Sequence, residues 1–448
     1  MPASRFDDGE RAPAVSAVVS APAWAQALAR MAYALLLVAA TPLYLVKLWW
    51  RGHAEPAYRQ AIGERFGRYA DAPSAGWVWV HAVSLGETRA ADALVAALRG
   101  QLPGMKLLLT HGTATGRAAG EALLRPGDRQ CWLPYDTPGA VRRFFAHFRP
   151  TVGVLMETEI WPNLLAAARR AGVPVALANA RLGERSLARG APFAALLRPA
   201  YESLGPVLAQ TDDDAMRLHE AGARQVQVAG NLKFDMAPDP ALVVLGRRWR
   251  RDVGRPVLLA SSTRDGEEAE LLDAWLALAA PRPLLVVVPR HPQRFDEVAA
   301  LLAGAGLAFA RRSGWAGPPP PEALAADAWL GDSMGEMPLY YALADAALLG
   351  GSFAPFGGQN LIEAAACGCP VLMGPHTFNF AEAARLAEAA GAAQRVATLA
   401  DAVDAACRRL AAQTPAERLA RAERCYAFAA RHRGAATQMA ASIAALVG

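Results

Sequence analysis

The chain has 448 residues, enough for two or three domains and a sizeable core. Apolar residues make up 53% and charged residues 19%, which excludes a disordered chain, and the 38 glycines and 32 prolines follow no period, which excludes collagen-like and solenoid architectures. The net charge of +5, carried on the basic side almost wholly by arginine, is too small to argue for nucleic acid as a partner.

In chain order, residues 1–28 read as a tail. Residues 31–46 (MAYALLLVAATPLYLV) contain no charge, and with Lys47, Leu48, Trp49 and Trp50 they extend to about 30 Å of helix, just enough to cross a bilayer. The expectation is a membrane anchor over residues 29–50, single-pass or monotopic, with Trp49 and Trp50 at headgroup level. Basic residues after the run (Lys47, Arg51, Arg59, Arg65, Arg68) outnumber those before it (Arg11, Arg30), which places the following body on the cytoplasmic side. A cleaved secretory signal and a buried hairpin are the competing readings; acidic Asp7, Asp8 and Glu10 weigh against the signal. Removing residues 1–50 should then free the body from membranes with nucleotide binding intact.

From residue 75 onward, short apolar runs alternate with amphipathic stretches of helical length, the pattern of a parallel α/β sheet. Strands are expected at 77–83, 106–110, 152–156, 173–178, 207–210 and 225–229, then at 257–260, 284–288, 325–330, 344–350 and 370–373. Asp235 to Pro240 reads as the linker between an N-terminal domain over 51–235 and a C-terminal domain over 236–448. Two Rossmann-like domains facing a cleft follow, with ligands at the carboxyl ends of the strands.

In the first half, the strand at 77–83 runs into Ser84-Leu85-Gly86-Glu87. Gly86 permits close approach of a substrate, and Glu87 is either a general base or an ordinary carboxylate at a helix start. Glu157 and Glu159 follow another strand end and are further catalytic candidates. The run Asp212-Asp213-Asp214 is a helix N-terminus rather than a metal-binding pair, and the five cysteines lack zinc-ligand spacing and read as reduced thiols. No metal and no cofactor are expected. Lys233, one of three lysines, is a candidate cation.

In the second half, Gly351-Ser352 ends a strand and Gly358-Gln359-Asn360 enters a helix carrying Glu363. Bare backbone N–H groups there suit a phosphate, and Glu363 suits a ribose diol. Ser262 and Arg264, and then Arg290 and His291, follow two other strands, where hydroxyls and cations suit a phosphate or carboxylate. Met334, Gly335 and Glu336 follow a further strand and can line a nucleobase.

Ten blocks in order carry a resemblance: YRQAIGERFG at Tyr58, HAVSLGE at His81, LPYDTP at Leu133, METEIWPNL at Met156, NARL at Asn179, GNLKFD at Gly230, PRHPQRF at Pro289, GDSMGEMPLYY at Gly331, GGSFAPFGGQNLIEA at Gly350 and GPHTFNF at Gly374. The sequence resembles the 3-deoxy-D-manno-octulosonic acid (Kdo) transferases, membrane-anchored enzymes that move Kdo from CMP-Kdo to the lipid A precursor. The resemblance implies a glycosyltransferase B fold at the inner membrane, an inverting transfer, an acceptor site in the first domain and a CMP-Kdo site in the second. It puts Glu87 at the family's general-base position and adds Asn379 to the donor site. CMP-Kdo is then a substrate, and Arg51, Arg59, Arg65 and Arg68 can meet phosphates of the acceptor or of anionic lipids. Many members carry His where this chain has Gln359 and Arg264. The alternatives are another two-domain transferase or epimerase using a UDP-sugar, and a non-catalytic membrane-tethered nucleotide-binding scaffold.

Overall fold

The structure, a computed structural model, describes residues 21–447; Asp7, Asp8, Glu10, Arg11 and most of the expected tail lie outside them. It divides into two units, residues 21–91, 95–229 and 439 onward in the first, and 92–94 and 230–438 in the second.

The first unit is built on β1 (Trp77–His81), β2 (Lys106–His111), β3 (Arg129–Trp132), β4 (Pro150–Met156), β5 (Val175–Ala180), β6 (Pro206–Ala209) and β7 (Gln225–Val228). All pairs are parallel, in the order β3-β2-β1-β4-β5-β6-β7. The second unit repeats the scheme with β8 (Val257–Thr263), β9 (Leu284–Pro289), β10 (Phe309–Arg311), β11 (Ala328–Leu330), β12 (Ala346–Leu349), β13 (Val371–Met373) and β14 (Ala393–Arg395), ordered β10-β11-β9-β8-β12-β13-β14. Central strands are buried on both faces, which is why they read as unbroken apolar runs. In β8 and β9, Val257, Leu259, Leu284 and Val286 pack into one core, and Leu258, Ala260, Leu285 and Val287 into the other.

Two features differ from the sequence expectation. Strands β3, β10 and β14 have no apolar run to announce them; each lies at a sheet edge, where one flank of the strand is unpaired and fewer side chains are covered. The chain also enters the second unit at residue 230 and leaves it at 439, ahead of both ends of the expected 236–448 domain. Leu232 and Phe234 are buried, Phe234 in the second unit's core, while buried Met439, Ala440 and Ile443 tie the last helix to the first unit.

Helix α1 (Ala23–Ala54) is longer than the expected anchor at both ends. It packs along the first unit rather than standing off it. Tyr33 hydrogen-bonds the buried carboxylate of Asp136, Tyr44 stacks on Tyr135 at 5.5 Å, and Leu48 joins Tyr58, Ala114 and Trp132 in a small buried cluster. Residues 33, 37, 41, 44 and 48 recur at helical spacing on this packed side, whereas Leu35, Leu36, Val38, Leu43 and Val46 are exposed. The helix remains long and apolar enough to cross a membrane.

Candidate active site

In each sheet the strand order reverses once, between β1 and β4 and between β8 and β12, and Glu87, Glu157, Ser262, Arg264 and Gly351 lie at or just beyond those carboxyl ends. Such switch points leave a crevice beyond the strands because the connections on either side diverge.

In the first unit, β1 stops at His81 and Ser84 caps α2 (Leu85–Gln101), its hydroxyl accepting the Glu87 N–H. The Glu87 carboxylate folds back, accepting the Val83 N–H at 2.8 Å and the Ser84 hydroxyl at 3.0 Å. This is close to a capping box. It fixes the carboxylate at the strand end, half-buried, and a Cβ at Gly86 would meet nothing nearer than the Ser84 hydroxyl at 4.0 Å, so the approach beside Glu87 is open. Beyond β4, Glu157 holds a left-handed backbone (φ 56°), one of five non-glycine residues to do so among those described. Asn179 and Ser262, at two other strand ends, do the same, and strain of this kind is kept where the surroundings over-determine it.

The structure brings Glu87 and Glu159 close enough to repel. Burial, then Glu87, push the Glu159 carboxyl up to about 7, with Glu157 adding a smaller rise and the Trp161 indole N–H, at 2.7 Å, working against it. His81, a residue sequence reasoning misses, opens the HAVSLGE block. It is fully buried, its Nδ1 3.1 Å from the Thr110 carbonyl, and its Nε2 lies 3.8 Å from Glu159. Burial holds its imidazole neutral, down at about 3. The two carboxylates therefore face different surroundings at the ends of neighbouring strands β1 and β4, the arrangement that separates acid from base roles. Asp212, Asp213 and Asp214 fill the first turn of a helix capped by Thr211, and among the described residues no cluster of His, Cys, Asp and Glu is arranged to hold a metal.

In the second unit, Gly350 lets β12 approach the Ser262 carbonyl more closely than any side chain would allow, and Gly351 (φ 68°), Gly357 (φ 91°) and Gly358 (φ 75°) turn the loop that follows. Glu267 braces it, its carboxylate accepting the Gly351 N–H at 2.8 Å and the Arg264 N–H at 2.9 Å. Arg264 lies over the Phe356 ring at 4.6 Å and within 2.9 Å of His291 Nε2; burial and then Arg264, Arg290 and Arg294 lower the His291 imidazole, so it accepts from Arg264 as a neutral ring. Arg264, Gln359 and Phe356 thus converge on Gly351. Asn360 caps the helix carrying Glu363.

Several candidates take other roles. The Ser352 hydroxyl is sealed from solvent, donating to the Leu349 carbonyl at 2.5 Å and accepting the Gly374 N–H at 2.9 Å, so it splices two loops instead of facing a phosphate. Asn379 pins the same loop through the Phe356 carbonyl at 3.0 Å. Glu336 is engaged by Arg312 at 2.8 Å, Met334 protrudes into solvent, and Gly335 turns the chain with φ 82°. Lys233 belongs to the second unit, its ammonium 4.6 Å from the Phe380 ring.

Two parallel seven-stranded α/β units, each with its polar cluster at a switch point, define a glycosyltransferase B-type protein. The fold matches the UDP-GlcNAc 2-epimerase of Neisseria meningitidis with a TM-score of 0.54 at 16% identity, over 82% of this chain and 99% of that one. Sequence narrows the class. The family described as 3-Deoxy-D-manno-octulosonic-acid transferase (kdotransferase) matches residues 60–236. The 3-deoxy-D-manno-octulosonic acid transferase of Bordetella pertussis is 52% identical over 420 residues, 91% of this chain and 96% of that protein. Its counterpart in Haemophilus influenzae is 35% identical over 387 residues, 84% of this chain and 89% of that protein. The chain belongs to the Kdo transferase family, glycosyltransferases of lipopolysaccharide core biosynthesis.

Proposed function

We propose that the protein moves Kdo from CMP-Kdo to the lipid A precursor with inversion, without a metal or cofactor, the first unit taking the acceptor and the second the donor. The reading is supported by two clusters, one in each unit: Glu87, fixed at the β1 end by two hydrogen bonds, and the glycine loop and cations at the β8 and β12 ends. The acceptor hydroxyl attacks the anomeric carbon of Kdo as its bond to the CMP phosphate breaks. Glu87 takes the hydroxyl proton, and CMP leaves with the electron pair. The backbone N–H groups around Gly358, Gln359 and Asn360, with Arg264 and Arg290, stabilise the departing phosphate, while Glu363 accepts from the ribose diol. Lys233 is the candidate for the Kdo carboxylate. The acyl chains lie against exposed apolar residues of the first unit, those of α1 among them.

The protein acts at the inner membrane from the cytoplasmic side, with α1 monotopic. A helix packed on the body at residues 33, 37, 41, 44 and 48 enters a bilayer sideways, through the face bearing Leu35, Leu36, Leu43 and Val46. The decisive experiment incubates the purified chain with CMP-Kdo and lipid A precursor and weighs the product. A gain of one or more Kdo masses supports the reading; no gain, with UDP rather than CMP binding in calorimetry, overturns it.

A further inference from the structure

Arg65 is a buried charge with no counter-ion among the described residues. It lies in the turn Ile62–Phe66 at 5% exposure, and its Nε and Nη2 are buried without a hydrogen-bond partner. Its acidic neighbour is taken: Glu64 receives Arg117 at 2.9 Å and the Trp132 N–H at 2.9 Å through the same oxygen. What Arg65 has is the face of Trp132, 4.0 Å away. Two half-buried arginines, by contrast, are ion-paired, Arg250 with Asp345 at 2.8 Å and Arg294 with Glu268 at 2.7 Å. An unpaired buried guanidinium is costly, and a fold that retains one beside a cavity has built half of an anion site.

The cavity is there. It measures about 240 Å³ and Arg65 lines it, together with Leu37, Thr41 and Tyr44 of α1 on one side and Leu133 and His81 on others. His81 adds a second polar atom. Because its Nδ1 donates to the Thr110 carbonyl, its fully buried Nε2, which makes no hydrogen bond and lies 3.8 Å from Glu159, is an acceptor, suited to a hydroxyl. The site thus offers a fork of donors for an anion, an acceptor for a hydroxyl, and an apolar wall belonging to α1, while the Asp136 carboxylate in its lining is engaged by Tyr33 and by the Asn163 and Leu164 N–H groups. Val83 also lines the cavity, and its N–H is the one that holds Glu87.

We propose that this cavity seats a phosphate carried on the sugar of a glycolipid, with Arg65 as its counter-ion, His81 Nε2 accepting from a neighbouring sugar hydroxyl, and α1 against the attached hydrocarbon. This rests on the acceptor assignment made above. Of the basic residues near α1, Arg65 is set apart by its surroundings: Arg51 lies over Tyr58 and Arg59 over Trp49, while Arg68 is exposed.

The test is calorimetry on the full chain in non-ionic micelles, titrated with a phosphorylated glucosamine-disaccharide lipid, the same lipid stripped of phosphate, short-chain phosphatidic acid, and inorganic phosphate. The phosphorylated glycolipid should bind roughly tenfold or more tighter than the stripped one, as expected for a charge-assisted pair, and tighter than both other probes. Arg65→Gln should shrink that preference to about twofold, with Arg65→Lys intermediate because it keeps the charge and loses the fork. A preference that survives in folded R65Q overturns the proposal, as does equal binding of phosphatidic acid or inorganic phosphate. Should R65Q fail to fold, Thr41→Trp fills the cavity from α1 and leaves Arg65 on Trp132; unchanged affinity for the phosphorylated glycolipid then overturns it. Kdo transfer to stripped and phosphorylated acceptors with equal KM removes the seat and leaves the transferase reading standing. An Arg65-dependent phosphate preference without any Kdo transfer does the reverse.

Discussion

Glu87 is tied into the start of α2 by hydrogen bonds common to helix-opening glutamates, and a base and a cap share that geometry. Function separates them. Glu87→Gln keeps the shape and one accepting oxygen and cannot take a proton, so turnover should fall by about 10²–10⁴ while CMP affinity stays put; a variant within fivefold of the parent rate ends the base assignment. Glu159 makes a second prediction, through pH. Its folded carboxyl is raised to about 7, so the native state holds a proton there that the unfolded chain releases near the ordinary value of 4.5. The native state therefore loses stability as pH rises from about 4.5 through about 7, where it must accept the buried charge. Glu159→Gln should raise the melting midpoint more at pH 8 than at pH 5, and an equal shift at both would refute the assignment. In the second unit, Ser352 and Glu363 are distinguished by a crossed pair of measurements. Ser352→Ala should lower stability by about 1–3 kcal/mol and leave CMP affinity within twofold, whereas Glu363→Ala should weaken CMP by about 1–3 kcal/mol.

At the scale of elements, α1 is the informative case. Its composition announces a membrane segment, and the expectation that residues 1–50 can be removed cleanly follows from composition alone. The helix is instead stitched to the body: its loss leaves Asp136, whose carboxyl burial pushes up to about 7, without Tyr33, and uncovers Tyr58 and Trp132. Removing residues 1–54 should release the protein from membranes and keep CMP binding, since the residues proposed for the donor all fall in the second unit. It should also lower the melting midpoint of the first unit by several degrees. A truncated protein with an unchanged melting profile would show that the packed stripe contributes nothing.

For the whole molecule, the reading is of two units of one architecture, one supplying a proton acceptor and the other a phosphate seat. A transfer of this kind needs no Lewis acid when arginines and backbone N–H groups meet the leaving phosphate. Turnover should therefore survive EDTA within twofold; loss of activity restored by a divalent ion would refute it.

The sequence by itself determined the parallel α/β class, the central strands, the family and the loops that bear polar residues. It did so because doubly buried strands must be apolar throughout and because loop glycines at Gly351, Gly357 and Gly358 leave a mark in one dimension. Edge strands β3, β10 and β14 left none, being covered on fewer sides. The inward turn of Ser352, the coupling of Glu159 to Glu87 and the isolation of Arg65 were decided only by tertiary structure. Each depends on which groups, distant in the chain, exclude water from a side chain or satisfy its hydrogen bonds, and a residue's type does not record its neighbours.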